Sequence, residues 1–199
     1  MKIVKNTSII LAVHILFILI WVYIQDTLLG IREFEVSIQK GLKENFLFYL
    51  LFIVIIGPLW EEAVFRLPLK NNKIFWLPII LGILLLLSIK LWWIKISLII
   101  YLFSIIYYRL IRKIECNIPT ITILSILSFG LIHSANYSLM SLAQMNFIEI
   151  VSTFFTQLIL GMILAYIRLK YSFKAGVVYH GTFNGIILCI AISTESFNF

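Results

Sequence analysis

A chain of 199 residues that is 62% hydrophobic and only 13% charged lies far from the composition of water-soluble domains, where about 25% of residues are charged. It indicates an integral membrane protein, all-α because a bilayer leaves backbone groups no partners outside their own segment. The net charge of +7 excludes nothing by itself, but its placement argues against nucleic acid: the basic residues stand in short connections between apolar runs, where they act as topology signals.

Seven apolar segments follow along the chain, at approximately 8–29, 45–66, 74–89, 91–108, 118–134, 147–167 and 174–193. They predict a polytopic helical bundle of about seven spans, since a span needs about 20 mostly apolar residues. Lys2 and Lys5 precede the first run as they would in a signal peptide, but bulky Trp21-Val22-Tyr23-Ile24-Gln25 offers no cleavage site, so a retained span is expected. His14 stands in that span with no polar partner at helical spacing, and no role is assigned to it. The polar connection 25–44 reads equally as a solvated loop or a helix on the membrane surface. Lys90 and Lys95 flank Leu91-Trp92-Trp93-Ile94, which reads as an interfacial turn.

With seven spans and the N-terminus inside, eleven of the 16 basic residues fall on the inner side. These are Lys2, Lys5, Arg66, Lys70, Lys73, Arg109, Arg112, Lys113, Arg168, Lys170 and Lys174; Arg32, Lys40, Lys43, Lys90 and Lys95 fall outside. The bias predicts N-inside and C-outside. Cys116 and Cys189 read as two small buried residues rather than a disulfide.

Three short motifs carry polar groups into these apolar runs: Glu61-Glu62-Ala63-Val64-Phe65-Arg66, Phe129-Gly130-Leu131-Ile132-His133 and His180-Gly181-Thr182-Phe183-Asn184. Burying such groups costs several kcal/mol or more each, so they are rare in lipid without a job. Glu61 and Glu62 point about 100° apart on a helix. Arg66, four residues after Glu62, suits an ion pair on one face and leaves Glu61 as the carboxylate for acid–base work. The bland alternative is a charged helix end at the interface. His133 lies one turn after Phe129, and a histidine at a span end is often only interfacial. His180 and Asn184, also one turn apart, project together, with Gly181 and Gly185 permitting close helix approach. A zinc site built from Glu61, His133 and His180 stays open on residue type.

In that order the three motifs resemble the CPBP family of intramembrane proteases, Abi-like proteins that include CAAX prenyl endopeptidases and bacteriocin-processing or bacteriocin-immunity membrane proteins. The family pattern is E-E-x-x-x-R, F-x-x-x-H and H-x-x-x-N or H-x-x-x-D, and Glu61 to Asn184 covers most of the chain. The resemblance implies a peptide hydrolase of glutamic rather than metal type, needing no cofactor, with its catalytic cavity inside the membrane. Glu61 and His133 would activate a water, and His180 and Asn184 would hold the oxyanion. Glu62 and Arg66 would support them as an ion pair, and Phe129 by packing. Residues 1–44 would then be a first span and polar connection, and 45–199 the protease core. Residues 74–108 depart from the family as an apparent inserted hairpin.

The partners implied are membrane lipids and a peptide or membrane-protein substrate. Richness in Lys, Ile and Asn hints at a bacterial cytoplasmic membrane. Other intramembrane protease classes fit poorly. There is no H-E-x-x-H, no Gly followed two residues later by Ser, and Asp26 is the only aspartate. A non-catalytic scaffold or immunity protein and, less readily, a transporter remain as alternatives. One tension stands: these boundaries put Glu61 near the inner end of its span and His133 near the outer end of its own, although catalytic groups must share a depth.

Overall fold

The computed structural model describes residues 2–28, 42–70, 74–112, 119–136 and 145–193. Among them every regular element is helical: α1 (Lys2–Leu28), α2 (Phe46–Leu51), α3 (Gly57–Phe65), α4 (Trp76–Ser88), α5 (Trp92–Ile106), α6 (Pro119–Ile132), α7 (Phe147–Lys170) and α8 (Phe173–Ser193). A π-helical turn, Phe52–Ile56, joins α2 to α3, and a second, Tyr107–Ile111, extends α5. Short 3-10 turns, Leu67–Leu69 and His133–Asn136, follow α3 and α6. Most of the 25–44 connection and the position of Cys116 lie outside the described residues.

Among the described residues five helical segments are long and apolar enough to cross a membrane: Asn6–Ile24, Phe46–Leu69, Trp92–Ile111, Phe147–Lys170 and Phe173–Ile190. The other two predicted spans are helical but short, with 13 residues in α4 and 14 in α6.

The chain divides into two compact units. The first holds Met1–Pro58, Asn136–Ser152 and Val178–Phe199. Here α1 turns Ile9, Val13, Leu16 and Ile20 outward on one face, as lipid contact requires, and buries His14 and Ile18 on another. Leu42 and Leu188 form a small core with Tyr49, Leu50, Ile53 and Ile192. The Asn45 side chain caps α2 by accepting from the Phe48 N–H at 3.2 Å. Asn146 and Glu149 form a reciprocal cap at the start of α7, at 3.0 and 2.6 Å.

The π-turn in this unit has a sequence cause. Pro58 has no N–H to give to the preceding turn. The Gly57 N–H bonds the Phe52 carbonyl five residues back instead of the Ile53 carbonyl, and the Val54 carbonyl lacks the N–H that an ordinary residue 58 would supply. The motif on α8 meets the Ile53 and Val54 carbonyls, as described below.

The second unit holds Leu59–Ala135 and Thr153–Val177. Its α5 packs most extensively on α6 and also against α4. Polar pairs stitch α5 to α6 and to the 3-10 turn after it. Ser97 and Ser128 share a hydrogen bond at 2.8 Å, and Trp93 Nε1 donates to Ser134 Oγ at 3.3 Å. Pro68 ends the helical run after α3, leaving carbonyls that need donors. Side chains supply them. Tyr101 Oη donates to the Val64 and Phe65 carbonyls at 3.1 and 3.0 Å, and Ser125 Oγ donates to Phe65 at 2.7 Å. Arg168 Nε donates to the Arg66 carbonyl at 3.0 Å. Residues 74–108, predicted as an insertion, thus include a helix hydrogen-bonded to the segment that carries the glutamates.

Candidate active site

In the second unit Glu61 lies on α3 one turn before its end, and His133 is the first residue after α6. His133 Nδ1 stands 2.8 Å from the Phe129 carbonyl. A carbonyl can only accept, so Nδ1 carries a proton, and in the neutral imidazole the lone pair falls on Nε2. That nitrogen faces Glu61 Oε2 at 4.0 Å, with side chains 17% and 27% exposed for His133 and Glu61. The gap is too long for a direct hydrogen bond and suits one water touching both atoms.

Beneath this pair the supporting residues are fully buried. Arg66 Nη1 donates to Ser125 Oγ at 3.1 Å and Nη2 to the Gly161 carbonyl at 3.2 Å. The guanidinium carbon stands 4.5 Å from the centre of the Phe129 ring, which on its other contact meets the His133 ring at 4.7 Å. Phe129 therefore joins the first two motifs through its ring, and its carbonyl orients His133. Glu62 is 0% exposed and attracts the Arg66 guanidinium more strongly than Glu61 does. Its Oε2 presses on the first turn of α8, where a Cβ on Gly176 would come within 2.8 Å. That is the positive end of a helix, a favourable place for a carboxylate.

The 4.0 Å approach puts Glu61 and His133 at one depth, and helix length narrows the tension. The 14 residues of α6 rise only ~21 Å, less than the ~30 Å of a hydrocarbon core. Glu61 stands eight residues, about 12 Å of helix, before the end of its segment at Leu69. A short helix ending at His133 can therefore meet a glutamate set inward from a helix end.

In the first unit His180 is 1% exposed. Asn184 Nδ2 donates to the Ile53 carbonyl at 3.1 Å, one of the two left without a helical donor at the π-turn and Pro58. At Gly181 a Cβ would stand 2.4 Å from the Val54 carbonyl oxygen, the other one. The spacing of the third motif thus matches the helix break: glycine where α8 must touch a carbonyl, amide where it must donate to one. Asn184 keeps its second N–H for another acceptor.

His14 has a partner that inspection of its own span missed. Its Nδ1 lies 3.0 Å from Tyr179 Oη, and its ring stacks on Phe183 at 4.4 Å and 6°. Arg168, read from sequence as a topology charge, is 9% exposed and caps the glutamate segment. Tyr101 and Ser125 carried no sequence signal beyond being polar in apolar runs.

Among the described residues no group of three His, Cys, Asp or Glu side chains gathers as a metal ion would require. Comparison of the chain with protein-family models, with curated proteins and with solved structures gave no match.

Proposed function

We propose that the chain is an intramembrane endopeptidase that hydrolyses a peptide bond by direct attack of water. The observation that carries this reading is the approach of Glu61 Oε2 to His133 Nε2 at 4.0 Å, with the lone pair of Nε2 set by the Phe129 carbonyl. A water between them gives one proton to the Glu61 carboxylate while Nε2 accepts a hydrogen bond from its other proton. The water oxygen bonds to the scissile carbonyl carbon, and the oxyanion is held by His180 and by the second N–H of Asn184. Collapse breaks the C–N bond, and the proton on Glu61 passes to the leaving amine. No covalent intermediate forms.

The substrate class is a peptide or a membrane-protein segment. The host membrane is a bacterial cytoplasmic membrane, the N-terminus lies inside, and the chain crosses about seven times. This agrees with the resemblance of the three motifs to the CPBP proteases. A non-catalytic scaffold of the immunity type is the second reading. Its support is that Arg66, Glu62, Gly181 and Asn184 all have packing or hydrogen-bonding roles within the fold.

Comparative peptidomics of cells carrying the wild-type chain or Glu61→Gln tests the proposal. Peptides present with wild type and lost in Glu61→Gln, at equal protein level, support the enzyme. Identical peptidomes favour the scaffold. Solute uptake lost in Glu61→Gln without a change in peptides favours a transporter. Cleavage abolished by a chelator and restored by zinc moves the mechanism to a metal-dependent one.

A further inference from the structure

The third motif and the residue before it form two helical stripes. His180 and Asn184 form one, and Tyr179 and Phe183 form the adjacent one, each a single residue earlier and so about 100° away around α8. The second stripe is where α1 touches. The His14 ring is 2% exposed; its Nδ1 meets Tyr179 Oη at 3.0 Å, and its face lies parallel to Phe183 at 4.4 Å. Tyr179 and Phe183 are themselves buried, at 4% and 7% exposure. From another side, Ile53 and Val54 meet Asn184 and Gly181. The rotation of α8 about its own axis is therefore fixed by two separate contacts, and only the one from α1 depends on an imidazole.

A buried imidazole in a lipid-facing helix is an expensive way to fill space. Leu would fill a similar volume and require no hydrogen bond. We infer that His14 is a positioning residue: through Tyr179 and Phe183 it sets the rotation of α8 and hence the aim of His180 and Asn184. The consequence for the reaction rests on the endopeptidase reading above; the consequence for the helix does not.

A chain with Cys116→Ser and Cys189→Ser, carrying Val54→Cys and Gly185→Cys, reports that rotation without needing activity. A Cβ on residue 185 would lie 3.7 Å from Val54 Cγ2, within reach of a disulfide. Oxidative cross-linking of these cysteines should be fast with His14 and severalfold slower in His14→Leu and in Tyr179→Phe. His14→Asn, which keeps a polar group at the position of Nδ1, should restore it. Tyr179→Phe guards against a His14→Leu chain that fails to fold. In the chain without added cysteines, both variants should lose about 10–100-fold in kcat, with KM changed by less than about twofold.

Unchanged cross-linking in His14→Leu and Tyr179→Phe overturns the positioning role. So does unchanged kcat in both variants when wild-type hydrolysis is measurable. If wild type hydrolyses nothing yet cross-linking still depends on His14, the endopeptidase reading fails and the positioning of α8 stands.

Discussion

Arg66 shows how a buried charge is accommodated residue by residue. Its two terminal nitrogens reach Ser125 and Gly161, its face lies on Phe129, and Glu62 is the leading carboxylate acting on its charge. Removing it leaves Glu62 buried without that countercharge, so Arg66→Ala should cost about 3–5 kcal/mol, read as a fall in unfolding midpoint in detergent. Arg66→Lys should recover little, because an ammonium cannot span both acceptors or stack on the ring. Glu61→Gln, on a partly exposed side chain, should leave the midpoint within about 0.5 kcal/mol while abolishing cleavage. The four-residue spacing of Glu62 and Arg66 was legible in the sequence. Ser125 and Gly161 were not, because they lie 59 and 95 residues away and one of them contributes only a carbonyl. The same holds for His14, whose partner is 165 residues distant.

Helices carry more of the design than their apolar patterns disclose. The predicted segments fall where helices form, since apolar run length is a local property. What the pattern hides is how each helix ends. The carbonyls after α3 are capped from α5, α6 and α7, so Tyr101→Phe should cost roughly 1 kcal/mol, measurable in detergent unfolding. The break at Pro58 is legible as a proline in an apolar run, but the use made of it is not. Gly181→Ala would force a methyl to 2.4 Å from the Val54 carbonyl oxygen. Backbone must move to relieve that, and a cost of about 1–3 kcal/mol is expected. The glycine of the third motif thus owes its identity to an interhelical contact, as the sequence suggested, but with a carbonyl rather than a side chain opposite. Residues 74–108 read as an insertion by length. Their hydrogen bonds to the glutamate segment and to the helix before His133 mean that deleting 74–112 should abolish folding, seen as loss of the protein from the membrane fraction.

At the scale of the whole chain, composition alone makes the protein helical and apolar, and among the described residues five helices have spanning length. The count of seven depended on treating every apolar run as a crossing, and α4 and α6 are the runs for which length and polarity disagree. The basic residues predict that reporter fusions after Arg112 and after Arg168 report the inner side and a fusion after Ser193 the outer. A fusion after Ser193 that reports inside would reverse the orientation. The shortness of α6 has a further consequence. A helix of ~21 Å placed in hydrocarbon ~30 Å thick draws the two headgroup layers together, at fractions of a kcal/mol per ångström. Where the bilayer thins, water comes closer to His133, and on the endopeptidase reading proposed above water is the reactant that lipid most withholds. Membrane thickness then becomes a rate variable: reconstituted in lipids of increasing acyl length, the protein should turn over more slowly, with unchanged folding.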